Sequence, residues 1–202
     1  LNTDDSNFTL DNLEITKNYR LANFEKIKLN YFDNQNKKND LLIINNKENN
    51  YLISGNNFDL SKIVDDTLFG KNNDSTKIFD SKKRVFKVDF SKNYIDKEHY
   101  LTNLKGQFQI KNNDLYDLSL NSKFSNKKKI SLSIKTKNNN KVTTFYSDFA
   151  QPIVKKYKFI KGFEEGKIDF SSSKKNKITN SKLKIYDFKL KELPALTKIL
   201  TL

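Results

Sequence analysis

The sequence contains no cysteine, no methionine and no tryptophan, and it has only 5 glycines and 2 prolines among its 202 residues. The absence of cysteine excludes disulfides, thiolate metal sites and cysteine nucleophiles. His99 is the only histidine, so the second imidazole or thiolate that a zinc site needs is missing as well. No run of 18 apolar residues occurs, and we therefore expect no membrane-spanning helix within these residues.

Catalytic groups are equally scarce. No nucleophile-elbow pattern surrounds any serine, and the polar neighbourhood of His99 is typical of a solvated surface residue. Glu164-Glu165 form a poor acid–base pair, because neighbours on a strand point to opposite faces, and Asp65-Asp66 are interpreted as solvated charge. Gly162 and Gly166 are too sparse for a phosphate-binding loop. We therefore expect neither enzymatic activity nor a bound cofactor or metal.

Arginine is nearly absent from a strongly basic chain. The 38 Lys and Arg against 24 Asp and Glu give a net charge of +14, yet the arginines are Arg20 and Arg84 alone. One interpretation is an anionic partner, either nucleic acid or phospholipid head groups. The other is the lysine and asparagine bias of an A/T-rich genome. Because arginine makes the bidentate contacts to bases and phosphates, its scarcity argues against nucleic acid.

The lysine runs 127–129 and 174–175 fall at predicted turns. Solubility and protection of hairpins explain them in one interpretation, and contact with anionic lipid surfaces explains them in the other. Since the lysines are spread over most turns and polar faces, we expect the charge to tune membrane proximity weakly and to be dispensable for lipid passage.

What is present points to a folded chain. Phenylalanine (16) and tyrosine (9) raise the aromatic share to 12%, although the mean hydropathy is only −0.77. Disordered chains are poor in aromatics, so we expect a packed core. The chain begins at Leu1 without a signal peptide, and we expect it to belong to a longer product with its targeting or anchoring element upstream.

Apolar and polar residues alternate with period two along most of the chain, for example at 27–31, 86–90, 116–120, 130–134 and 168–170. This pattern predicts strands with one apolar and one polar face. Turns rich in asparagine separate them, at Asn45-Asn46, Asn112-Asn113 and 138–140, and asparagine tolerates the left-handed backbone that hairpins require. The sequence therefore predicts a mainly β fold, an antiparallel meander of eight or more strands.

Two segments favour short helices instead. At 59–69, Asp59 can cap a helix whose apolar residues share one face, and at 194–202 Pro194 suits a first helical turn. Residues 71–84 are polar and lack periodicity, which indicates a loop or linker. We thus divide the chain into a β-rich segment at 1–70 that ends in a helix and a second region at 85–202 that stops within the last helix.

The second region carries a family resemblance. Its phrases are Ser147-Asp148-Phe149-Ala150, then Gly166-Lys167-Ile168-Asp169-Phe170, then Tyr186-Asp187-Phe188-Lys189-Leu190, then Leu193-Pro194-Ala195-Leu196. This order resembles the C-terminal region of AsmA-like proteins, bacterial envelope proteins of the lipid-transfer type. Ile53-Ser54-Gly55 and the residues that follow, through Ser61, are similar to the same family's entry to a helix.

The resemblance implies a long, twisted antiparallel sheet that forms a groove, with no catalytic set. It implies a periplasmic location, a tether to the inner membrane through a helix outside this segment, and phospholipid acyl chains as the partner. The apolar residues of the predicted strands are then the candidates for the lipid groove: Phe86, Val88, Phe90, Phe108, Ile110, Leu118, Leu120, Ile130, Leu132, Ile134, Ile168, Phe170, Leu183 and Ile185.

Two other functions stay open on the residues alone. The sheet can serve as a structural or interaction scaffold of the cell envelope without lipid transport, its apolar face packed on another part of the protein. A basic nucleic-acid-binding domain is the third alternative, which the scarcity of arginine disfavours.

Overall fold

The computed structural model describes residues 6–33, 36–61, 79–96, 98–157, 160–176 and 178–191. Within these ranges eleven strands form one open sheet in the order β1-β4-β5-β6-β7-β8-β9-β10-β11-β12-β13, and β2 and β3 form a separate pair. The predicted β fold is therefore confirmed. The elements are β1 Asn7–Asp11, β2 Glu14–Ile15, β3 Leu21–Asn23, β4 Lys26–Phe32, β5 Lys38–Asn45, β6 Asn50–Asp59, β7 Arg84–Tyr94, β8 Tyr100–Lys111, β9 Asp114–Phe124, β10 Lys129–Lys137, β11 Asn140–Ser147, α1 Gln151–Lys156, β12 Phe163–Lys175 and β13 Ile178–Leu190.

Asparagine pairs make two of the tightest turns. Asn112-Asn113 joins β8 to β9 and Asn138-Asn139 joins β10 to β11, and all four residues have positive φ angles between 49° and 65°. Two-residue hairpins of type I′ need positive φ at both positions, which asparagine tolerates. In the predicted turn at Asn45-Asn46, the positive φ angles fall instead on residues 47–49.

The junction of β6 and β7 is parallel, whereas the sequence predicted antiparallel pairing throughout. Asn50 lies opposite Val85 and Asp59 lies opposite Tyr94, so both strands run from the same end of the sheet. The connection between them, residues 60–83, exceeds the roughly dozen residues that a parallel crossover needs. The two predicted segments, 1–70 and 85–202, thus meet inside one sheet.

A buried arginine anchors the start of β7. The Arg84 side chain is 1% exposed and its Nη2 lies 2.8 Å from the Asp80 carboxylate. The same nitrogen donates to the carbonyl oxygens of Leu21 and Ala22 at 3.2 and 2.6 Å, and the guanidinium lies 4.9 Å from the centre of the Phe79 ring. The end of the predicted linker is therefore fixed against β3.

Stacked aromatic rings cross the parallel junction. Tyr51 of β6 stacks on Phe86 of β7 at 4.9 Å between ring centres, and Phe86 stacks on Phe108 of β8 at 4.7 Å. Phe24 extends the stack at 4.8 Å from Tyr51. Aromatic pairs across strands contribute about 0.2–1 kcal/mol each, so this ladder reinforces the junction that has no hairpin to hold it.

The predicted helices lie largely outside the described residues, which stop at 61 and resume at 79, and end at 191. Asp59, where the first of them was predicted to begin, accepts a hydrogen bond of 2.7 Å at Oδ1 from the backbone N–H of Ser61. The sequence did not predict α1, a six-residue helix with Pro152 in its first turn. In the described part of the chain, no helix has both the length and the hydrophobicity needed to cross a membrane.

Replacing Arg84 with methionine should lower the free energy of unfolding by about 3–5 kcal/mol. The change leaves the Asp80 carboxylate and the carbonyl oxygens of Leu21 and Ala22 without their partner at a buried site. Urea denaturation followed by circular dichroism measures the loss. Arg20→Met, the same change at the other arginine, is the control and should shift stability far less. Equal losses in both variants would contradict the anchoring role.

Candidate functional site

One uninterrupted row of non-polar residues crosses the whole sheet. Residues directly opposed in neighbouring strands project from the same face, so the register can be followed from one edge strand to the other. We call the following set the apolar row: Leu10, Ile27, Ile43, Ile53, Val88, Gly106, Leu120, Leu132, Phe145, Phe170 and Leu183.

The apolar row is long. With eleven strands spaced about 4.8 Å apart, it extends over roughly 48 Å. Its members come from every strand of the main sheet, and Gly106 is the one position without a side chain. The face that carries it is called the apolar face below.

The opposite face is mainly polar. A parallel row, shifted by one residue along each strand, has only one apolar side chain among the residues from β4 to β13. Its members are Lys28, Leu42, Ser54, Asp89, Lys105, Asn121, Ser131, Tyr146, Asp169 and Lys184. The sheet is therefore amphipathic across its full width.

All fourteen residues predicted for the groove lie on the apolar face, but they differ in accessibility. Six are 8% exposed or less and belong to the packed core: Phe86, Val88, Phe90, Leu118, Ile134 and Ile168. Seven are partly buried: Phe108, Ile110, Leu120, Ile130, Leu132, Phe170 and Ile185. Leu183, on the edge strand β13, is 54% exposed.

Helix α1 covers one end of the apolar face. Ala150 and Val154 are fully buried with Phe163 and Ile168 of β12, and Ile153 packs against the same cluster. The apolar row residues Phe145, Phe170 and Leu132 keep part of their surface accessible. The helix thus flanks the row without covering it completely.

The groove candidates predicted from the sequence omit six members of the apolar row: Leu10, Ile27, Ile43, Ile53, Gly106 and Phe145. In β5 the cause is the continuous apolar run Leu41-Leu42-Ile43-Ile44, which conceals the alternation between faces. The pairing of Ile43 with both Ile27 and Ile53 reveals which face it occupies.

The Ser147-Asp148 step of the family resemblance has a structural role. Ser147 is fully buried, and its hydroxyl donates to the carbonyl oxygen of Phe149 and accepts from the N–H of the same residue. Asp148 accepts hydrogen bonds from the Tyr146 hydroxyl at 2.5 Å and from the Lys129 N–H at 3.2 Å. The Tyr146 hydrogen bond lowers the pKa of Asp148 and raises the pKa of Tyr146 to about 12.

The other candidates for chemistry are engaged in local contacts. His99 Nδ1 lies 2.9 Å from the Asp96 carboxylate within one loop. Glu165 pairs with Lys189 of β13, and Glu164 pairs with Lys191, the residue that follows this strand. Residues 65–66 lie outside the described ranges. Among the residues that the structure places, no three His, Asp or Glu side chains converge where a metal ion could bind.

Two surface depressions occur on the described part of the chain. One, near β2 and β3, is lined mainly by polar side chains that include Asn12, Glu14 and Asn23. The other is bordered by Lys87 and Asp89 of the polar face, and Val88 and Gly106 of the apolar row also line it. Neither depression encloses the apolar row as a whole, because the second one reaches only two of its members.

Comparison of the chain with protein-family models, with curated proteins and with solved structures finds no match in any of the three.

We expect Asp148→Asn to weaken the dependence of stability on pH. A carboxyl whose pKa is lowered in the folded state stabilises the fold above its unfolded pKa, and that contribution disappears as pH falls through the folded-state pKa. Urea denaturation measures the free energy of unfolding at pH 7 and at pH 3. This free energy should fall less between the two pH values in the variant than in the wild type. The matched control is Asp169→Asn, which changes the residue directly opposite Tyr146. If the free energy of unfolding of Asp148→Asn falls between pH 7 and pH 3 as much as that of the wild type, the stabilising role of the Asp148 carboxylate is refuted.

Proposed function

We propose that this chain is a segment of a phospholipid-transfer protein, and that its apolar face shields acyl chains from water while lipids move along the sheet. The observation that carries the proposal is the apolar row, which crosses eleven strands without a polar side chain. The resemblance to AsmA-like proteins supports the same function.

Shielding an acyl chain is an energetic necessity for such transfer. Each CH₂ group exposed to water costs about 0.8 kcal/mol, so a lipid crosses an aqueous space only when apolar surface accompanies it. The row of roughly 48 Å is longer than the acyl region of one leaflet, which is about 15 Å or half of a bilayer core. A strip of similar aliphatic and aromatic side chains has no single preferred position, which suits movement along it.

The proposal includes a location of the protein in the cell. The resemblance implies a bacterial periplasm, a tether to the inner membrane through a helix outside this segment, and transfer between the inner and outer membranes. Arg84 gives no support to a nucleic-acid partner, since its side chain is buried and engaged with Asp80 and backbone carbonyls.

The envelope scaffold remains the alternative. Six of the fourteen groove candidates are core residues, and α1 already packs on one end of the apolar face. A face that completes its packing with protein alone would show the same features near these residues. The two functions differ at the accessible positions Leu132 and Leu183.

Photo-crosslinking amino acids at Leu132 and Leu183 should capture phospholipid in cells, because both positions lie on the apolar row and keep accessible surface. The matched controls are Ser131 and Lys182, the preceding residues on the same strands, which project from the polar face. Mass spectrometry of the crosslinked species identifies the adduct. Protein adducts alone at Leu132 and Leu183 would favour the scaffold, and lipid adducts at all four positions would dismiss the apolar row as the site.

A further inference from the structure

On the apolar face, the side chains change from apolar to hydroxyl-bearing and then to cationic towards the turns that join β10 to β11 and β12 to β13. Next to the apolar row lies a row that is hydroxyl-bearing on three strands, Thr143, Ser172 and Ser181, beside Ile134 on β10. The row beyond it, the nearest to the turns on this face, consists of Thr136, Lys141, Lys174 and Thr179. Apolar, hydroxyl and cationic side chains therefore follow one another on one face.

The two lysines of the last row are directly opposed on neighbouring strands. Like charges in this arrangement destabilise a sheet. Neither lysine forms an ion pair with a carboxylate in the described part of the chain. A bound anion would remove the repulsion between Lys141 and Lys174.

The neighbouring lysines face the other way. Lys137 and Lys175 lie in the same row as Asn140, one residue closer to the turns, and alternation puts them on the polar face. The run 174–175, which a sequence-based interpretation treats as one unit, is therefore divided between the two faces of the sheet.

We propose that Lys141 and Lys174 bind the phosphate of a phospholipid head group whose acyl chains lie on the apolar row. This inference rests on the proposed function and adds the binding site of the head group to it. Along β11, Thr143 is about 7 Å and Phe145 about 13 Å from Lys141, at about 3.3 Å per residue. Phosphate, glycerol esters and acyl chain follow in that order in a glycerophospholipid.

The hydroxyl row suits the ester region of such a lipid. Ser181 donates to the Ser172 hydroxyl at 2.9 Å, so the Ser172 hydroxyl can in turn donate its own hydrogen to an ester carbonyl oxygen of the lipid. Lysine binds phosphate as a point charge and not as a bidentate fork. A head group held in this way can leave again, as transfer requires.

The test uses the 202-residue chain and lipids with short acyl chains that stay monomeric: dihexanoyl phosphatidic acid, dihexanoyl phosphatidylcholine and, as the free anion, inorganic phosphate. Calorimetric titration at physiological salt measures each affinity. We expect phosphatidic acid to bind more tightly than phosphatidylcholine, whose quaternary amine the lysines repel, and inorganic phosphate to bind weakest because it lacks acyl chains.

Lys141→Gln combined with Lys174→Gln should weaken binding of phosphatidic acid on the order of tenfold, given two phosphate contacts of this kind. The matched control, Lys137→Gln with Lys175→Gln, removes the same charge at the same end of the sheet but from the polar face, and should leave affinity nearly unchanged. Thermal melting serves as the folding check. The first variant should melt no lower than the wild type, because it relieves a like-charge pair.

Each alternative result overturns the inference in its own way. Equal weakening in both variants would mean that overall charge attracts the lipid, and equal affinity for inorganic phosphate would mean a free-anion site without an acyl contact. If lipid crosslinks form at Leu132 but the Lys141 and Lys174 changes do not alter the affinity for phosphatidic acid, the proposed transfer function is retained and the head-group site is rejected. Absence of lipid from every measurement, the crosslinks included, would reject both.

Discussion

Strand register is the constraint on which the amphipathic sheet depends. Side chains alternate with period two, so a slip of one residue at any junction would move that strand's apolar residues to the polar face. The two-residue turns at Asn112-Asn113 and Asn138-Asn139 hold the register of β8 with β9 and of β10 with β11. The parallel junction has no hairpin, and its register is held by the stacked rings of Tyr51 and Phe86 and by the anchored Arg84.

Local irregularities keep the apolar face continuous where strict alternation would break it. Asn103, with a φ of 52°, forms a bulge in β8 that lets both Leu101 and Leu104 reach the core. Gly166 of β12 has a φ of 74°, and a Cβ there would lie 2.6 Å from the Phe163 ring. Such positions let the sheet bend and still present apolar side chains on one side.

Features encoded by nearby residues were predictable, and features made by distant ones were not. Alternation predicted the strands, and asparagine pairs predicted two turns, because both signals lie within a few residues. The parallel junction depends on contacts between Arg84 and β3 that no local pattern contains. The opposed pair Lys141 and Lys174 is likewise invisible until register joins β11 to β12.

The parallel junction also affects how the chain folds. Its paired residues are 35 positions apart, as for Asn50 and Val85, whereas the antiparallel junctions close over shorter loops. Closing a longer loop costs more chain entropy, and non-local pairing slows folding. The hairpins on either side can assemble early as two independent sheets, each with an open edge at β6 or β7. We expect their union to be the slow step of folding, and until it occurs the edges at β6 and β7 stay open to pairing with another chain.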